Sequence, residues 1–571
     1  MTFIPAAVIL ALLAPGPQAQ PAAAAKASIE GYVLRAGTGE PIARARITAS
    51  RTSGPDDASF QPNRTVAIPP LNTGSDGHFL VTDLTPGTYL VMAQRNGFAR
   101  QGYGARAPGR GGTPLKIAAG EAVKDIVIRL TPAGAVSGRV SDPAGEPLTG
   151  VNVELLKPIY DEDGRRVFDP EGSAKTDDHG EYRIYSMTPG RYYVKASVPR
   201  SPMENFPQEP SSNEVIDPGY VLTYYPGTAD PSAAMSIEIA PGGELSAIDF
   251  TLAQQRLFKI RGRVMDSRTG QIPRNVTMFV APRENPMLFG DNTFDLSSYN
   301  TTNGTFEVKN LTPGQYWVSA RTNVFSGAAT PAPERQQGRI AVDVSNADVE
   351  NVVIVFSPGM TIPGRLSIEG GAAVSSLPNL DSVEIVLTPV VAGREIPTAS
   401  MEISKAISND GTFVIENVQP GSYRLSMTPL QQGFYVKEAQ LDSADILGGA
   451  SISGSVSGGL EIVLSSQVGE VDGTLVDRDH HPVRGVQAIL IPDGLRNRHD
   501  LYRYATSDQN GQFIMRTVAP GDYKLFAWED IDDYEFNDPE FLRKYEELGT
   551  PVKITELSKL PVEVKVIPAG Q

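Results

Sequence analysis

Apolar and polar residues alternate in short runs along this chain, and the runs recur in a fixed order. Tyr89, Val91 and Ala93 alternate with Leu90, Met92 and Gln94, and the pattern returns in Tyr192, Val194 and Ala196 and in Tyr316, Val318 and Ala320. A period of two puts successive side chains on opposite faces and predicts half-buried strands. A Pro-Gly pair precedes each strand, at Pro86-Gly87, Pro189-Gly190, Pro313-Gly314, Pro420-Gly421 and Pro520-Gly521. Nine positions before each of these prolines stands another glycine: Gly77, Gly180, Gly304, Gly411 and Gly511. Two residues after that glycine comes an aromatic, Phe79, Tyr182, Phe306, Phe413 or Phe513. A pattern repeated at one spacing implies tandem copies of one small unit.

Each copy also opens on a strand that carries a glycine. Gly31, Gly138, Gly262, Gly364 and Gly473 recur at intervals of 107, 124, 102 and 109 residues. Each copy closes on an apolar strand, such as Ile126–Leu130, Ile248–Leu252, Val352–Phe356, Leu460–Leu464 and Val562–Val566. Short strands separated by Gly/Pro turns predict an all-β chain of five tandem Ig-like or transthyretin-like antiparallel β-sandwiches, each of about seven strands. The boundaries drawn are 26–133, 134–256, 257–358, 359–466 and 467–571, after a candidate signal peptide over 1–25. The linkers are short, which predicts an elongated rod with limited hinge motion.

Turn chemistry adds detail. Pro presets φ and Gly tolerates φ > 0, so each Pro-Gly is expected to form a type II, hairpin-like corner. The Asp-Gly or Asn-Gly step is expected to form a second tight turn. One short helix is predicted: Asp538 suits the N-cap, Pro539 the first turn and Gly549 the exit. Phe541, Leu542, Tyr545 and Leu548 would share its apolar face and pack on the last unit.

These residues resemble the carboxypeptidase regulatory-like domain, also called transthyretin-like. The matching pattern is a glycine-bearing opening strand, a Gly-x-Pro turn (Gly39-Glu40-Pro41, Gly145-Glu146-Pro147), then Gly-x-Phe and Pro-Gly-x-Tyr. The resemblance is closest in the first two copies; the fourth lacks the Gly-x-Pro turn. It implies a fold close to carbohydrate-binding-like modules, an exported bacterial protein and an accessory, non-catalytic role.

Composition narrows the chemistry. The chain has no cysteine, which excludes disulfides, thiolate metal sites and cysteine nucleophiles. Its net charge of −16 repels nucleic-acid phosphates and anionic lipid, so neither nucleic acid nor membrane insertion is expected. The run Phe3–Ala14 has the length of a signal-peptide core and is too short to span a bilayer. Together with cleavage near Ala19 or Ala25 it predicts a secreted or periplasmic protein, although no Lys or Arg precedes the run.

No catalytic constellation is visible. His78 and His179 stand in turn positions held elsewhere by Thr305, Thr412 and Gln512, and no zinc-peptidase or nucleophile-elbow motif occurs. No cofactor and no metal is expected. Asp477-Arg478-Asp479-His480-His481 is the one cluster with metal-ligand character, and it sits in a turn. The acidic stretch Glu529–Glu535 has calcium-compatible ligands without a calcium-loop motif and reads as a solvated loop. Arg95, Arg100, Arg106, Arg110 and Lys116 line a Gly-rich loop suited to an anion or to the acidic surface of a neighbouring unit. Alternation puts Tyr193, Trp317, Phe526 and Trp528 on outer faces, where a sugar ring would stack. The function expected is therefore a non-catalytic scaffold that binds polysaccharide or another cell-envelope component. The alternative is a protein-binding, adhesive or purely structural spacer.

Overall fold

The computed structural model describes residues 25–52, 66–162, 164–198, 219–274, 276–283, 299–322, 336–356, 359–391, 394–395, 402–404, 406–430, 433–452, 456 and 458–569. The expected signal segment lies outside the described residues, apart from Ala25.

Five three-strand arrangements recur along the chain. In each, an opening strand lies between the strand that carries the aromatic and the closing strand. The first set is Ala27–Arg35 between His78–Leu84 and Ala122–Leu130, and the last is Gly469–Val476 between Gln512–Val518 and Lys559–Lys565. The opening strand pairs antiparallel with the aromatic strand and parallel with the closing strand in all five. The sandwiches thus contain one parallel pairing each, which alternation alone does not disclose. A second sheet faces the first and is built on the strand after Pro-Gly. In the last unit it runs Arg503–Thr506, Gln487–Pro492, Gly521–Ala527, Thr550–Ile554, which brings that unit to seven strands. A separate buried apolar cluster fills the space between each pair of sheets.

The opening glycine has the same job in every unit. It stands directly across from the aromatic: Gly31 from Phe79, Gly138 from Tyr182, Gly262 from Phe306, Gly364 from Phe413 and Gly473 from Phe513. A Cβ added at Gly138 would sit 2.0 Å from the Ile248 carbonyl oxygen, and one at Gly473 would sit 2.0 Å from the Phe513 ring. The absent side chain lets the ring and the parallel neighbour close onto the strand. The glycine of the Asp-Gly or Asn-Gly turn is left-handed throughout, with φ of 76°, 73°, 74°, 84° and 76° at Gly77, Gly180, Gly304, Gly411 and Gly511. Its carbonyl accepts the amide of the opening strand two residues beyond the opening glycine, as in Val33 N–H to Gly77 O at 2.9 Å and Leu475 N–H to Gly511 O at 2.8 Å.

The Pro-Gly corners differ from the expected hairpin. The strand before each corner belongs to the first sheet and the strand after it to the second, so the corner carries the chain across the sandwich. Just before the crossing, the aromatic strand bulges at a non-glycine residue with positive φ: Asp83, Ser186, Asn310, Asn417 or Thr517. Such bulges re-aim a strand where pairing must end. The corner is then tied by a tyrosine hydroxyl that donates to the carbonyl four residues upstream. The five bonds are Tyr89 to Thr85 at 2.7 Å, Tyr192 to Thr188 at 2.7 Å, Tyr316 to Thr312 at 2.9 Å, Tyr423 to Gln419 at 2.8 Å and Tyr523 to Ala519 at 2.9 Å. Each tyrosine is buried, so its hydroxyl needs that partner.

The expectation of an elongated rod is corrected. The last unit returns to the first two: Arg106 pairs with Glu529 at 3.1 Å, Arg191 with Asp532 at 3.1 Å, and Arg110 with Asp533. Linkers that are themselves pinned make this return compatible with short connections. Ala99 N–H donates to Thr131 O at 2.9 Å on one side of the first linker, and Gly242 N–H to Pro132 O at 3.0 Å on the other.

Gly138→Ala is expected to destabilise its unit by roughly 1–3 kcal/mol, because a backbone carbonyl cannot rotate away as a side chain can; denaturant unfolding of the full chain measures it. Tyr523→Phe leaves the Ala519 carbonyl without its donor and is expected to cost about 1–2 kcal/mol in the same assay. Burial pushes the Tyr523 hydroxyl up to about 12 and raises those of Tyr182 and Tyr192 as well. Folded values above the ordinary phenol value of about 10 give stability that is complete below that pH and lost as pH rises beyond it. Alkaline titration is therefore expected to show phenolate absorbance and loss of near-ultraviolet circular dichroism rising together above pH ~10.

Candidate functional site

Three of the four expected stacking aromatics are interior. Phe526 is fully buried and stacks on Trp528 with centroids 5.1 Å apart and planes 7° apart. The predicted helix is present over Pro539–Tyr545, with the Asp538 carboxylate accepting from Glu540 N–H at 2.8 Å. It lays Phe541 and Tyr545 against Trp528, each with centroids at 5.9 Å. Gly549 then passes so close to the Phe526 ring that a Cβ would sit 2.5 Å from it. Leu548 is exposed, because the α-helix ends at Tyr545 and a 3-10 turn carries Glu546–Leu548. Tyr193 is covered in another way: Phe168, two strands away in the same sheet, packs at 4.8 Å and the Arg166 guanidinium lies 5.4 Å from the ring centre. The expected outer-face positions hold, but local chain segments cover the faces. Tyr193, Phe526 and Trp528 are core residues of secondary clusters and offer no open ring.

Trp317 differs. It lies partly exposed in the middle of the strand Gly314–Thr322, between Ala281 and Ala341 of the flanking strands. The Arg339 and Arg283 guanidinium groups stand 4.9 and 5.5 Å from its ring centre. Arg283 also pairs with Asp343 at 3.2 Å. The indole N–H is buried and has no hydrogen-bond partner among the described residues. The ring is thus overlaid by two guanidinium groups.

The titratable residues singled out in the sequence are largely spent on turns. Asp477 accepts the amides of Asp479 and His481, both at 2.9 Å, and these bonds hold its carboxyl below the usual range. Asp477, Asp479 and His481 each bring one ligand atom within 4.8 Å of the others, in an exposed turn. His480, in its turn, faces Glu563 at 2.8 Å, and His78 faces Glu30 across neighbouring strands at 3.0 Å.

The acidic stretch is not the solvated loop expected from its composition. Besides the three arginine pairs, Arg110 donates to the Ile531 carbonyl at 2.7 Å, and Tyr160 N–H of the second unit donates to Asp533 O at 3.1 Å. Asn537 donates from its side-chain amide to Asp161 O at 3.0 Å. The Gln509 side chain bonds both backbone groups of Lys116, at 3.0 and 2.9 Å. Burial raises the Glu535 carboxyl, against the hydrogen bond that Asp532 N–H donates to it, and burial likewise raises the Tyr160 hydroxyl. The turn of the second unit around Glu162 is met from a further side, where Arg424 of the fourth unit pairs with Glu162 at 2.8 Å. Sequence reasoning offered an acidic neighbour as one partner of the basic loop; what it lacked was any signal linking residues 423 positions apart.

Comparison with known proteins gives a family and distant folds. No curated protein matches the chain. Among solved structures, GBS52, the minor pilin of Streptococcus agalactiae, is 15% identical, with 41% of this chain and 96% of that one covered at a TM-score of 0.21. A streptococcal ancillary pilin is 14% identical, covering 58% and 99% at a TM-score of 0.19. Shaft pilin SpaA of Lactobacillus rhamnosus GG is 11% identical in the form carrying two substitutions, covering 41% and 98% at a TM-score of 0.20. Likeness at that level carries no assignment of role. The family model is more informative, because it matches the stretches that hold the glycine-aromatic pair and the tyrosine corner. Residues 28–131 and 135–207, in the first two units, match the family model of the carboxypeptidase regulatory-like domain.

Proposed function

We propose that this chain is a non-catalytic scaffold of five such units, with boundaries near residues 133, 256, 358 and 466, acting outside the cytoplasm. The family match of the first two units supports the accessory role. The same glycine, aromatic, bulge and tyrosine in the last three units support extending it to them. Among the described residues no helix is long and apolar enough to cross a membrane.

The binding surface is proposed on the outer face of the third unit, around Trp317. The observation that carries it is the partly open indole, the one expected stacking residue that is not buried, with two guanidinium groups over its ring as donors for a ligand. A sugar presents an apolar ring face to an aromatic and hydroxyl oxygens to such donors. A polysaccharide of the cell envelope fits this chemistry. A protein partner is the second reading, favoured by the exposed Tyr185 on the second unit.

Binding of the full chain to a glycan array, repeated with Trp317→Ala, tests the proposal. Glycan signals are expected in the parent and a loss of about tenfold in the variant, given the roughly 1.5 kcal/mol at the upper end for a stacked ring. Signals equal in both, or none in the parent, contradict the sugar reading.

A further inference from the structure

We propose that the acidic loop of the last unit forms a reversible charge clasp with the basic loop of the first and Arg191 of the second, which switches the array between a closed arrangement and an open string. This goes beyond the binding role above and does not depend on it.

The two loops are complementary in charge to an unusual degree. Between residues 95 and 116 stand Arg95, Arg100, Arg106, Arg110 and Lys116 with no acidic residue. Between 529 and 540 stand Glu529, Asp530, Asp532, Asp533, Glu535, Asp538 and Glu540 with no basic one. In a chain of net charge −16, that basic segment is the natural place for a carboxylate-rich loop to settle. The side-chain contacts are mainly polar, beside a close backbone approach of Gly485 to Gly104 and of Gly164 to Asn537 and the Arg484 guanidinium 6.0 Å from the Tyr103 ring centre. Three ion pairs hold side chains that remain 36–55% exposed, and backbone and amide bonds complete the seam. The apolar residues beside them, Phe536 and Trp528, are already spent inside the last unit.

An interface of this kind responds to its surroundings. Half-exposed ion pairs are individually weak and screened by salt. What makes them effective is covalent connection: the four intervening segments hold the loops at high local concentration, so weak contacts suffice to close the array. Arg106 and Arg110 of the basic loop and Asp161 of the second unit are engaged in the closed form and free in the open one. Each pair joins units far apart in sequence, so loss of the clasp changes overall dimensions without touching any sandwich core.

Small-angle scattering of the full chain tests this. The parent is expected to be compact at ~0.1 M salt and to expand at ~1 M, where the screening length falls from about 10 Å to about 3 Å. Arg106→Glu, Arg110→Glu and Arg191→Glu combined are expected to raise the radius of gyration at low salt. Glu529→Arg, Asp532→Arg and Asp533→Arg combined are expected to do the same. The variant carrying all six substitutions is expected to return to the parent value, with far-ultraviolet circular dichroism unchanged in every case. A radius unaffected by either triple reversal, or not restored in the six-fold variant, overturns the clasp.

Discussion

The structure depends on one close approach: a strand that gives up its side chain so that an aromatic ring can lie against its backbone. At Gly31, Gly138, Gly262, Gly364 and Gly473 the opening strand meets the ring on one side and the parallel closing strand on the other. Everything else in a unit is arranged around that seam. The turn glycine hands its carbonyl to the opening strand, the bulge ends the pairing, and the tyrosine hydroxyl fixes the crossing to the second sheet. The chain repeats this device rather than relying on one large core, as expected at a length where a single core stops growing.

Much of this was legible in the sequence, and the rest was hidden for definite reasons. Alternation located the strands and the Gly-x-aromatic step located the turns, because both are local properties. The Pro-Gly corner was misread as a hairpin: a period of two shows that a strand follows but not which sheet it joins. The bulge residues Asp83, Ser186, Asn310, Asn417 and Thr517 are all short and polar, the kind that tolerates positive φ, but such residues are common in these strands and turns and did not single the positions out. Thr517 is the least comfortable of them, since a β-branched residue resists positive φ. Arg503 donates twice to its carbonyl, at 2.9 and 2.7 Å, and so helps to hold it there.

The outer faces show the same limit in another form. Alternation correctly put Tyr193, Phe526 and Trp528 outside the sandwich cores, yet exposure depends on what the next segment does. The helix Pro539–Tyr545 covers Trp528 and the strand Arg166–Lys175 covers Tyr193. Trp317 alone of the four stays partly open. The return of the last unit to the first was hidden more deeply, because complementary charge is visible in a sequence and long-range pairing is not.

A repeated seam should also be the last part of each unit to open, since local unfolding follows packing and hydrogen bonding. Hydrogen–deuterium exchange of the full chain, read by mass spectrometry, addresses this most directly. The slowest amides are expected in residues 29–33, 136–140, 260–264, 362–366 and 471–475, with the strands after the Pro-Gly corners next. Exchange in those five stretches as fast as in the surrounding turns would contradict the account.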